Sequence, residues 1–99
     1  MLKLSKFVVC RSPIHGRGVF ASKTIHKDEI IGVLKGYPTN RPGCYVLWTG
    51  PFTGLRITCD LRFLNHADEP NACILDNLEL IALEDIMPGT EITHDYEQE

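Results

Sequence analysis

The amino-acid sequence predicts one mostly-β domain that covers residues 1–99. Its apolar residues fall into short runs rich in Val, Ile, Thr and aromatic side chains, as is typical of β-strands. Gly, Pro and Asn separate these runs, and no long stretch shows the periodicity of an α-helix. A chain of 99 residues has room for one core, which excludes a large two-domain enzyme.

Five strands are predicted in the N-terminal part of the chain. Each is a run of β-branched, aromatic or other apolar residues, and turn-forming residues separate one run from the next. The predicted strands cover residues 7–10, 18–21, 29–34, 44–48 and 55–59. The segment Lys-Gly-Tyr-Pro at residues 35–38 predicts a turn after the third strand, because glycine and proline favour turns.

One helical turn and three further strands are predicted in the C-terminal part. The helical turn, near residues 61–65, is the best helical segment in the sequence. The strands cover residues 72–75, 78–83 and 91–93. The segment Met-Pro-Gly at residues 87–89 predicts the turn that leads into the last strand.

Four cysteines lie far apart in the sequence, at Cys10, Cys44, Cys59 and Cys73. None belongs to the C-x-x-C pair that supplies two ligands to a structural zinc ion, so we predict no metal site. The absence of a secretory signal argues against disulfides, although four cysteines would permit two. We expect free and mostly buried thiols, because free cysteine behaves as a small hydrophobic residue.

The sequence contains no apolar run of the roughly 20 residues that a membrane-spanning helix needs. Residues 1–10 also lack the long apolar stretch and the small-residue cleavage site of a signal peptide. We therefore expect no membrane association and an intracellular location. This location is cytoplasmic, or nuclear if the source is eukaryotic or viral.

Charge is distributed unevenly along the chain. Residues 1–59 have a net charge of +7 and residues 60–99 a net charge of −10. Two interpretations stay open: the two parts attract each other within the fold, or an acidic face attracts a basic partner. The basic residues are dispersed and are not interleaved with aromatic residues, so we expect no direct contact with nucleic acid.

Three segments contain the residues best suited to chemistry. Residues 12–21 read SPIHGRGVFA, in which Gly16 and Gly18 allow a tight turn whose backbone can approach a ligand. Residues 62–71 read RFLNHADEPN and place several polar side chains between apolar runs, and residues 88–96 read PGTEITHDY. Each segment alone also has an ordinary structural interpretation, as a glycine turn, a hydrogen-bonded polar turn, and a tyrosine that covers the core.

The three segments together, in this order, resemble the SET-domain protein-lysine methyltransferases. That family has a Gly-x-Gly turn, then Arg-Phe-x-Asn-His with Pro-Asn shortly after it, and then a Gly-Glu-Glu-Leu-x-x-Asp-Tyr segment. The resemblance covers residues 8–96 and implies several small curled β-sheets. It also implies that the C-terminal segment threads under a loop, in the manner of a pseudoknot, and brings Asn65 and His66 beside Asp95 and Tyr96.

The function implied by the resemblance is methyl transfer from S-adenosylmethionine to a lysine side chain of a protein, in a basic segment such as a histone tail. Tyr96 is implied to be the catalytic residue, and Tyr45 and His94 are expected in the substrate channel. The implied cofactor-binding residues are Gly16, Arg17, Gly18, Phe63, Asn65, His66 and Tyr96.

The residue types suit this reaction. Methyl transfer from a sulfonium to an amine is an in-line displacement that needs no metal but needs a neutral amine. An apolar channel beside a positive sulfonium lowers the pKa of the lysine ammonium from its ordinary value near 10.4. Tyr96 would then orient the amine, and alignment would supply much of the rate enhancement.

The sequence departs from the family pattern at two channel positions. Leu34 stands where the family has a tyrosine, so the missing hydroxyl is expected from Tyr37 or Tyr45, if it is present at all. His94 stands where the family has an aromatic or small apolar residue that limits how many methyl groups fit. No cysteine-rich segment follows Tyr96, so we expect a second copy or the substrate to complete the channel, and we expect a homodimer.

Two other functions stay open at this point. One is a SET-like module that binds cofactor or peptide without turnover, which Leu34 and His94 leave possible. The other is a small all-β interaction protein without methyl chemistry, which would be favoured if no cofactor binds.

Overall fold

A computed structural model describes residues 5–97 and shows ten short strands and one 3-10 helix over that range. In chain order these elements are β1 (Phe7–Arg11), β2 (Arg17–Ala21), β3 (Ile30–Val33), β4 (Gly36–Thr39), β5 (Val46–Trp48), β6 (Gly54–Ile57), the 3-10 helix (Asp60–Phe63), β7 (Asn65–His66), β8 (Ala72–Ile74), β9 (Glu79–Ala82) and β10 (Glu91–His94). The mostly-β class predicted from the sequence is therefore confirmed. No helix in the described part of the chain is long and apolar enough to cross a membrane.

The largest sheet has four strands, in the order β1, β2, β10, β7. The hairpin of β1 and β2 is antiparallel, and β10 adds to β2 in the antiparallel direction. On its other side β10 runs parallel to β7, with Thr93 opposite Asn65 and His94 opposite His66. This parallel pair brings the polar segment of residues 62–71 against the C-terminal strand.

Two sheets of three strands complete the fold. One has the order β3, β9, β8, and the other has the order β4, β6, β5. All strand pairs in both sheets are antiparallel, and a bulge interrupts the pairing of β3 with β9 between Ile30 and Gly32. Bulges bend a strand locally and increase its twist.

The core lies where the sheets meet, and it is built from aliphatic side chains. Each of the three sheets contributes, as do residues in the connecting segments. The largest fully buried side chains are Val19, Ile25, Leu80, Ile86 and Ile92. Because β10 lies against both β2 and β7, burial of Ile92 fixes the strand that carries the C-terminal polar residues.

The predicted turn at residues 35–38 is wrong, because Gly36–Thr39 form strand β4. Two features allow Gly and Pro in this strand. β4 is an edge strand, where the missing N–H of Pro38 leaves the ladder intact. At Gly36 an added Cβ would collide with the backbone carbonyl of Arg56, so glycine lets the two strands approach closely. The turn at Pro88 and Gly89 is present as predicted.

The helical turn predicted near residues 61–65 lies at Asp60–Phe63, so it begins one residue earlier and ends two residues earlier, and Leu64 separates it from β7. β7 itself was not predicted as a strand. Its two residues are too few to produce an alternating pattern, and its pairing depends on β10, which lies far along the sequence.

The expectation of mostly buried thiols is wrong. All four cysteines are free, but Cys10 and Cys44 are exposed, while Cys59 and Cys73 are half-buried. Cys10 lies on the outermost strand of its sheet, and Cys44 lies in the segment before β5, where no second layer covers it.

Candidate active site

A hydrogen-bond network joins the glycine loop, defined as residues 12–16 between β1 and β2, to the C-terminal strand. The side-chain amide of Asn65 donates to the carbonyl oxygens of His15 and Arg17, both at 3.1 Å. It also donates to Oε2 of Glu91 at 2.8 Å. The Nδ2 group of Asn65 is therefore engaged within the protein.

Ser12 and Glu91 extend this network on the inner side of the loop. The hydroxyl of buried Ser12 lies 2.7 and 2.8 Å from the two carboxylate oxygens of Glu91, and it accepts a hydrogen bond from the amide of Ile14 at 3.0 Å. Sequence reasoning missed both residues. A glutamate at the start of a strand resembles a solvent-facing residue, and nothing in the sequence pattern signals this pairing.

A pocket of about 370 Å³ lies between the glycine loop and the 3-10 helix; we call it the loop pocket. Its lining residues are His15, Gly16, Arg17, Tyr45, Arg62, Phe63 and Asn65. The backbone of Gly16 has a φ of 45°, and the space beside its Cα is open. Four of the predicted cofactor residues line this pocket, whereas Gly18, His66 and Tyr96 lie outside it.

Phe63 is the aromatic centre of the loop pocket. The guanidinium of Arg62 lies over its ring at 4.2 Å from the centroid, and that of Arg17 lies at 5.7 Å. The ring of Tyr45 meets Phe63 edge-on, with the centroids 5.7 Å apart. The pocket therefore combines an aromatic face with two cationic groups.

A smaller cavity of about 220 Å³, which we call the channel, adjoins the loop pocket. Six of its nine lining residues are aliphatic, and the lining consists of Leu34, Tyr45, Val46, Leu47, Ile57, Leu61, Arg62, Leu64 and Tyr96. Tyr45 and Arg62 line both cavities, so the two are neighbours. Tyr45 and Leu34 both line this cavity, whereas Tyr37 is exposed and does not. The role of Tyr45 in a substrate channel stays a prediction.

Tyr96 forms one wall of the channel. Its hydroxyl donates a hydrogen bond to the carbonyl oxygen of Leu64 at 2.8 Å. The residue as a whole is 43% exposed, but burial of the phenol raises the pKa of Tyr96 to about 12. The hydroxyl is therefore neutral near pH 7, and its oxygen is still able to accept a further hydrogen bond.

A wider groove of about 800 Å³ also borders Tyr96. The residues that line this groove are Leu47, Trp48, Thr49, Ile74, Leu75, Asp76, Leu78, His94, Asp95 and Tyr96. Leu47 and Tyr96 belong to both the groove and the channel. The groove has two carboxylates, Asp76 and Asp95, and no lysine or arginine in its lining.

His94 lines the groove and not the channel in which it was expected. It is only 8% exposed, and its ring packs edge-on against Tyr96 with the centroids 4.9 Å apart. Its Nδ1 atom has no hydrogen-bond partner among residues 5–97. Burial lowers the pKa of His94, while the Ala72 carbonyl and the Asp95 carboxylate oppose this decrease.

The imidazole of His66 binds the backbone amide of Tyr96 and lies close to a carboxylate. Its Nδ1 accepts a hydrogen bond from the amide of Tyr96 at 3.1 Å, and its Nε2 lies 2.9 Å from Oδ1 of Asp68. The hydrogen bond with Asp68 has the largest effect and raises the pKa of His66. Burial comes second and lowers the pKa, and the carboxylates of Asp95 and Glu97 add smaller increases. In the neutral ring these contacts place the proton on Nε2.

One set of side chains in the described part of the chain has the spacing of metal ligands. The ligand atoms of His66, Asp95 and Glu97 all lie within 4.8 Å of one another. Both nitrogens of His66 already contact protein groups, and the Glu97 side chain is exposed. These contacts do not favour a metal, and the absence of a metal site stays a prediction.

Comparison with known proteins decides the family. The sequence model of the SET domain matches residues 40–97, more than half of the chain. The protein belongs to the SET domain family. A crystal structure of a Plasmodium falciparum candidate histone methyltransferase superimposes with a TM-score of 0.81, at 23% identity and over 98% of this chain and 97% of that one. This likeness confirms the predicted SET-domain fold.

Curated relatives of this SET domain are much longer proteins. Human Histone-lysine N-methyltransferase 2B is 30% identical over 112 aligned residues, which cover 89% of this chain and 4% of that protein. Histone-lysine N-methyltransferase trithorax from Drosophila virilis and from Drosophila melanogaster is 31% identical, over 89% of this chain and 3% of each relative. The chain thus spans a small fraction of the length of these relatives.

Proposed function

We propose that this SET domain transfers a methyl group from S-adenosylmethionine to a lysine side chain of a protein. The observation that carries the proposal is the position of Tyr96, which lines both the channel that adjoins the loop pocket and the open acidic groove. Such an arrangement lets a cofactor and a protein substrate approach from opposite sides of one narrow passage.

The loop pocket suits S-adenosylmethionine in its chemistry. The face of Phe63 suits a purine ring, and the guanidinium groups of Arg17 and Arg62 suit a carboxylate. Open space beside Gly16 lets the ligand approach the backbone, and the Asn65 amide holds the loop that shapes this wall. When bound, the cofactor supplies the methyl group as a sulfonium.

The channel prepares the lysine amine. Apolar walls disfavour the charged ammonium form, because burial penalises a charge. The oxygen of Tyr96 accepts a hydrogen bond from the neutral amine, while its proton stays on the contact with Leu64. Tyr96 thereby orients the nitrogen lone pair, and positioning of this kind accounts for most of the rate.

The preferred substrate in this proposal is a basic protein segment, as in histone tails. Two carboxylates and no lysine or arginine line the groove where such a segment would lie. Within residues 5–97, the ion pairs made by lysine and arginine join Lys6 to Glu29 and Arg62 to Asp60. Neither pair joins the basic part of the chain to the acidic part, and neither involves Asp76 or Asp95 of the groove. Asp95 lies 3.6 Å from Nδ1 of His66 and accepts a hydrogen bond from the amide of Glu97, so exposed Asp76 is the groove carboxylate more available to a partner.

Radiolabelled S-adenosylmethionine tests this function directly. The purified protein is incubated with labelled cofactor and with histones, ribosomal proteins or host lysate, and labelled lysine is then identified by mass spectrometry. We expect label on lysine residues in basic segments. Cofactor binding by calorimetry without label on any protein would replace the enzyme with a binding module, and no cofactor binding would remove both.

The binding module is the second candidate, and Leu34 is the observation that favours it. Leu34 lines the channel and supplies no hydroxyl there, so the amine would have one hydrogen-bond partner fewer. Self-methylation at Lys3, Lys6 or Lys23 would decide for the enzyme without any foreign substrate. Lys6 is held by Glu29 at 2.7 Å, which makes its amine less available.

Two further expectations belong to the same proposal. A histone-like substrate places the protein inside the cell, in the nucleus if the source is eukaryotic. A homodimer stays a prediction, and light scattering at micromolar concentration tests it, since a mass near 11.2 kDa would indicate a monomer.

A further inference from the structure

The small sheet of β4, β6 and β5 has one side on the core and one side in solvent. Leu55 and Ile57 of β6 pack on the core side. Arg56 stands between them in the strand, so its side chain points the other way, as does that of Tyr37, its partner in β4. Trp48, at the end of β5, shares this second side by register. We call it the outer face and define it by Tyr37, Trp48 and Arg56.

Two large aromatic side chains lie exposed on the outer face. Tyr37 is 52% exposed and Trp48 is 46% exposed. A Cβ built on Gly54 would lie 3.1 Å from the Trp48 ring, so the indole lies over the neighbouring strand β6. Aromatic side chains are enriched in protein interfaces. The outer face therefore offers aromatic surface that a partner could cover.

The charged residues between β3 and the 3-10 helix are all positive. They are Lys35, Arg41 and Arg56, and the sequence has no Asp or Glu from residue 30 to residue 59. In the part of the chain that the structure describes, none of the three forms an ion pair. Asp60, the acid that follows them, pairs with an arginine of the 3-10 helix. A face with cations and no carboxylates is complementary to an acidic partner.

The backbone directs Lys35 and Arg56 to the outer face. The amide of Thr58 donates to the Lys35 carbonyl at 2.9 Å, which extends the pairing of β4 with β6 by one residue. Lys35 lies two residues before Tyr37, so both side chains point to the same side. The guanidinium of Arg56 donates to the Cys44 carbonyl at 3.0 Å, which holds the group in place and leaves its other N–H donors for a carboxylate.

We propose that the outer face binds an extended acidic segment of a partner protein. Carboxylates of the segment pair with Lys35, Arg41 and Arg56, and its apolar side chains pack on Tyr37 and Trp48. A long nucleic-acid strand suits the face less well, because it would extend past these few cations toward the C-terminal part of the chain, whose net charge is −10. The partner also differs from the proposed substrate, which is basic.

Trp48 joins the outer face to the groove, because it also lines the groove. A segment bound on the outer face thus lies beside the groove. Trp48 is the only tryptophan in the chain, so its fluorescence emission reports on the occupancy of this face. The inference goes beyond the proposed function, since binding on the outer face needs neither cofactor nor turnover.

Titration with a short peptide in which glutamate alternates with leucine tests the proposal, with the emission of Trp48 as the readout. The double variant K35Q/R41Q removes two cations at exposed positions, and K23Q/K27Q is the matched control at exposed lysines outside the face. We expect Kd to rise at least about fivefold in K35Q/R41Q and less than about twofold in K23Q/K27Q. Added salt should weaken binding to the wild type, and a peptide with serine in place of glutamate should not bind.

Three results would overturn the proposal. The first is a Trp48 emission that the glutamate peptide leaves unchanged, and the second is an equal rise of Kd in the two double variants. The third is tighter binding of single-stranded oligothymidine than of the peptide, with the loss again confined to K35Q/R41Q, which would make nucleic acid the occupant. Because no arm of the experiment involves methyl transfer, its outcome is independent of the assay that tests the proposed function.

Discussion

The carboxylate of Glu91 occupies the space that a side chain at Gly18 would need. A Cβ built on Gly18 would overlap with Oε2 of Glu91, and it would lie 3.0 Å from the Cβ of Ser12. The same carboxylate binds the Ser12 hydroxyl and the Asn65 amide, so it has little freedom to move. Glycine at this position is thus required by packing and not by a left-handed backbone.

Gly18→Ala should destabilise the protein by about 1–3 kcal/mol, because the added methyl displaces Glu91 and breaks its hydrogen bonds to Ser12 and Asn65. Urea denaturation measures the loss as a lower midpoint. Gly43→Ala is the matched control, since its new methyl meets only the end of the Arg56 side chain, which can move away. Equal midpoints for the two variants would contradict the proposed clash.

Asn65→Ala should weaken S-adenosylmethionine binding, because three acceptors, one each on the glycine loop, β2 and β10, lose their donor. A part-buried group that loses its partner costs roughly 1–3 kcal/mol, enough to loosen one wall of the loop pocket. Calorimetry on the wild type and the variant measures the change. The surface variant Glu79→Ala serves as control, and similar affinities in both variants would contradict the placement of the cofactor.

Sequence patterns predicted the elements whose cause is local. The turn at Pro88 and Gly89 follows from two turn-forming residues, and the apolar run before it gives β9. Sequence patterns failed where pairing with a strand far along the chain determines the local structure. Gly36–Thr39 contain the same residue types as a turn but form β4, because β6 is available to pair with them and the edge position accepts Pro38. β7 exists only through its pairing with β10.

The candidate site was also predictable from the sequence only in part. The motifs selected Tyr96, Asn65 and residues of the glycine loop, and the fold brings these together. Their contacts were not predictable from the sequence. The hydroxyl of Tyr96, for example, donates to the backbone carbonyl of Leu64. The partner of the Asn65 amide is Glu91, 26 positions away. Neither contact has a sequence pattern of its own.

Tyr96→Phe should abolish methyl transfer and change cofactor affinity less than about tenfold, because Tyr96 lines the channel and does not line the loop pocket. Loss of the bond to Leu64 should also lower stability by roughly 1 kcal/mol. Turnover with labelled cofactor and a urea melt measure the two effects. Tyr37→Phe, at an exposed tyrosine, is the control, and near-full turnover by Tyr96→Phe would remove Tyr96 from catalysis.

The two histidines should give stability opposite dependences on pH. Because folding raises the pKa of His66, its protonated form stabilises the fold at pH values below the ordinary pKa of 6.5. This contribution is lost as the pH rises through the raised pKa. The lowered pKa of His94 destabilises the fold as the pH falls below 6.5, because the unfolded chain binds the proton more readily. Near pH 6.5 the two contributions together should therefore leave the protein most stable.

Urea denaturation across about pH 5 to 8 separates these two contributions, since each histidine titrates on its own side of the ordinary value. His66→Gln should remove the decrease on the alkaline side, and H94F should remove the decrease on the acid side. If stability depends on pH in the same way in the wild type and in both variants, neither histidine contributes as expected. The contact of His66 with Asp68 would then not raise its pKa, and the burial of His94 would not lower its pKa.

Substrate selection by charge gives the last prediction. Asp76 and Asp95 line the groove beside Tyr96, and a field of one sign in a groove concentrates cationic segments and speeds their encounter. A peptide with arginines around the central lysine should react faster than one with glutamates, and added salt should reduce the difference because ions screen exposed charges. Asp76→Asn should slow the basic peptide through KM, while Glu84→Gln, at an exposed position outside the groove lining, should leave it unchanged.

Initial rates for both peptides at low and high salt, with the wild type and the two variants, decide the question. If the glutamate peptide reacts as fast as the arginine peptide, the acidic groove does not select its substrate. If Glu84→Gln slows the basic peptide as much as Asp76→Asn does, the net charge of the C-terminal part determines the rate. The groove carboxylates then contribute no more than other acidic residues. A salt-sensitive loss confined to Asp76→Asn places recognition in the groove itself, because only a charge that faces the bound segment changes KM without changing the rest of the surface.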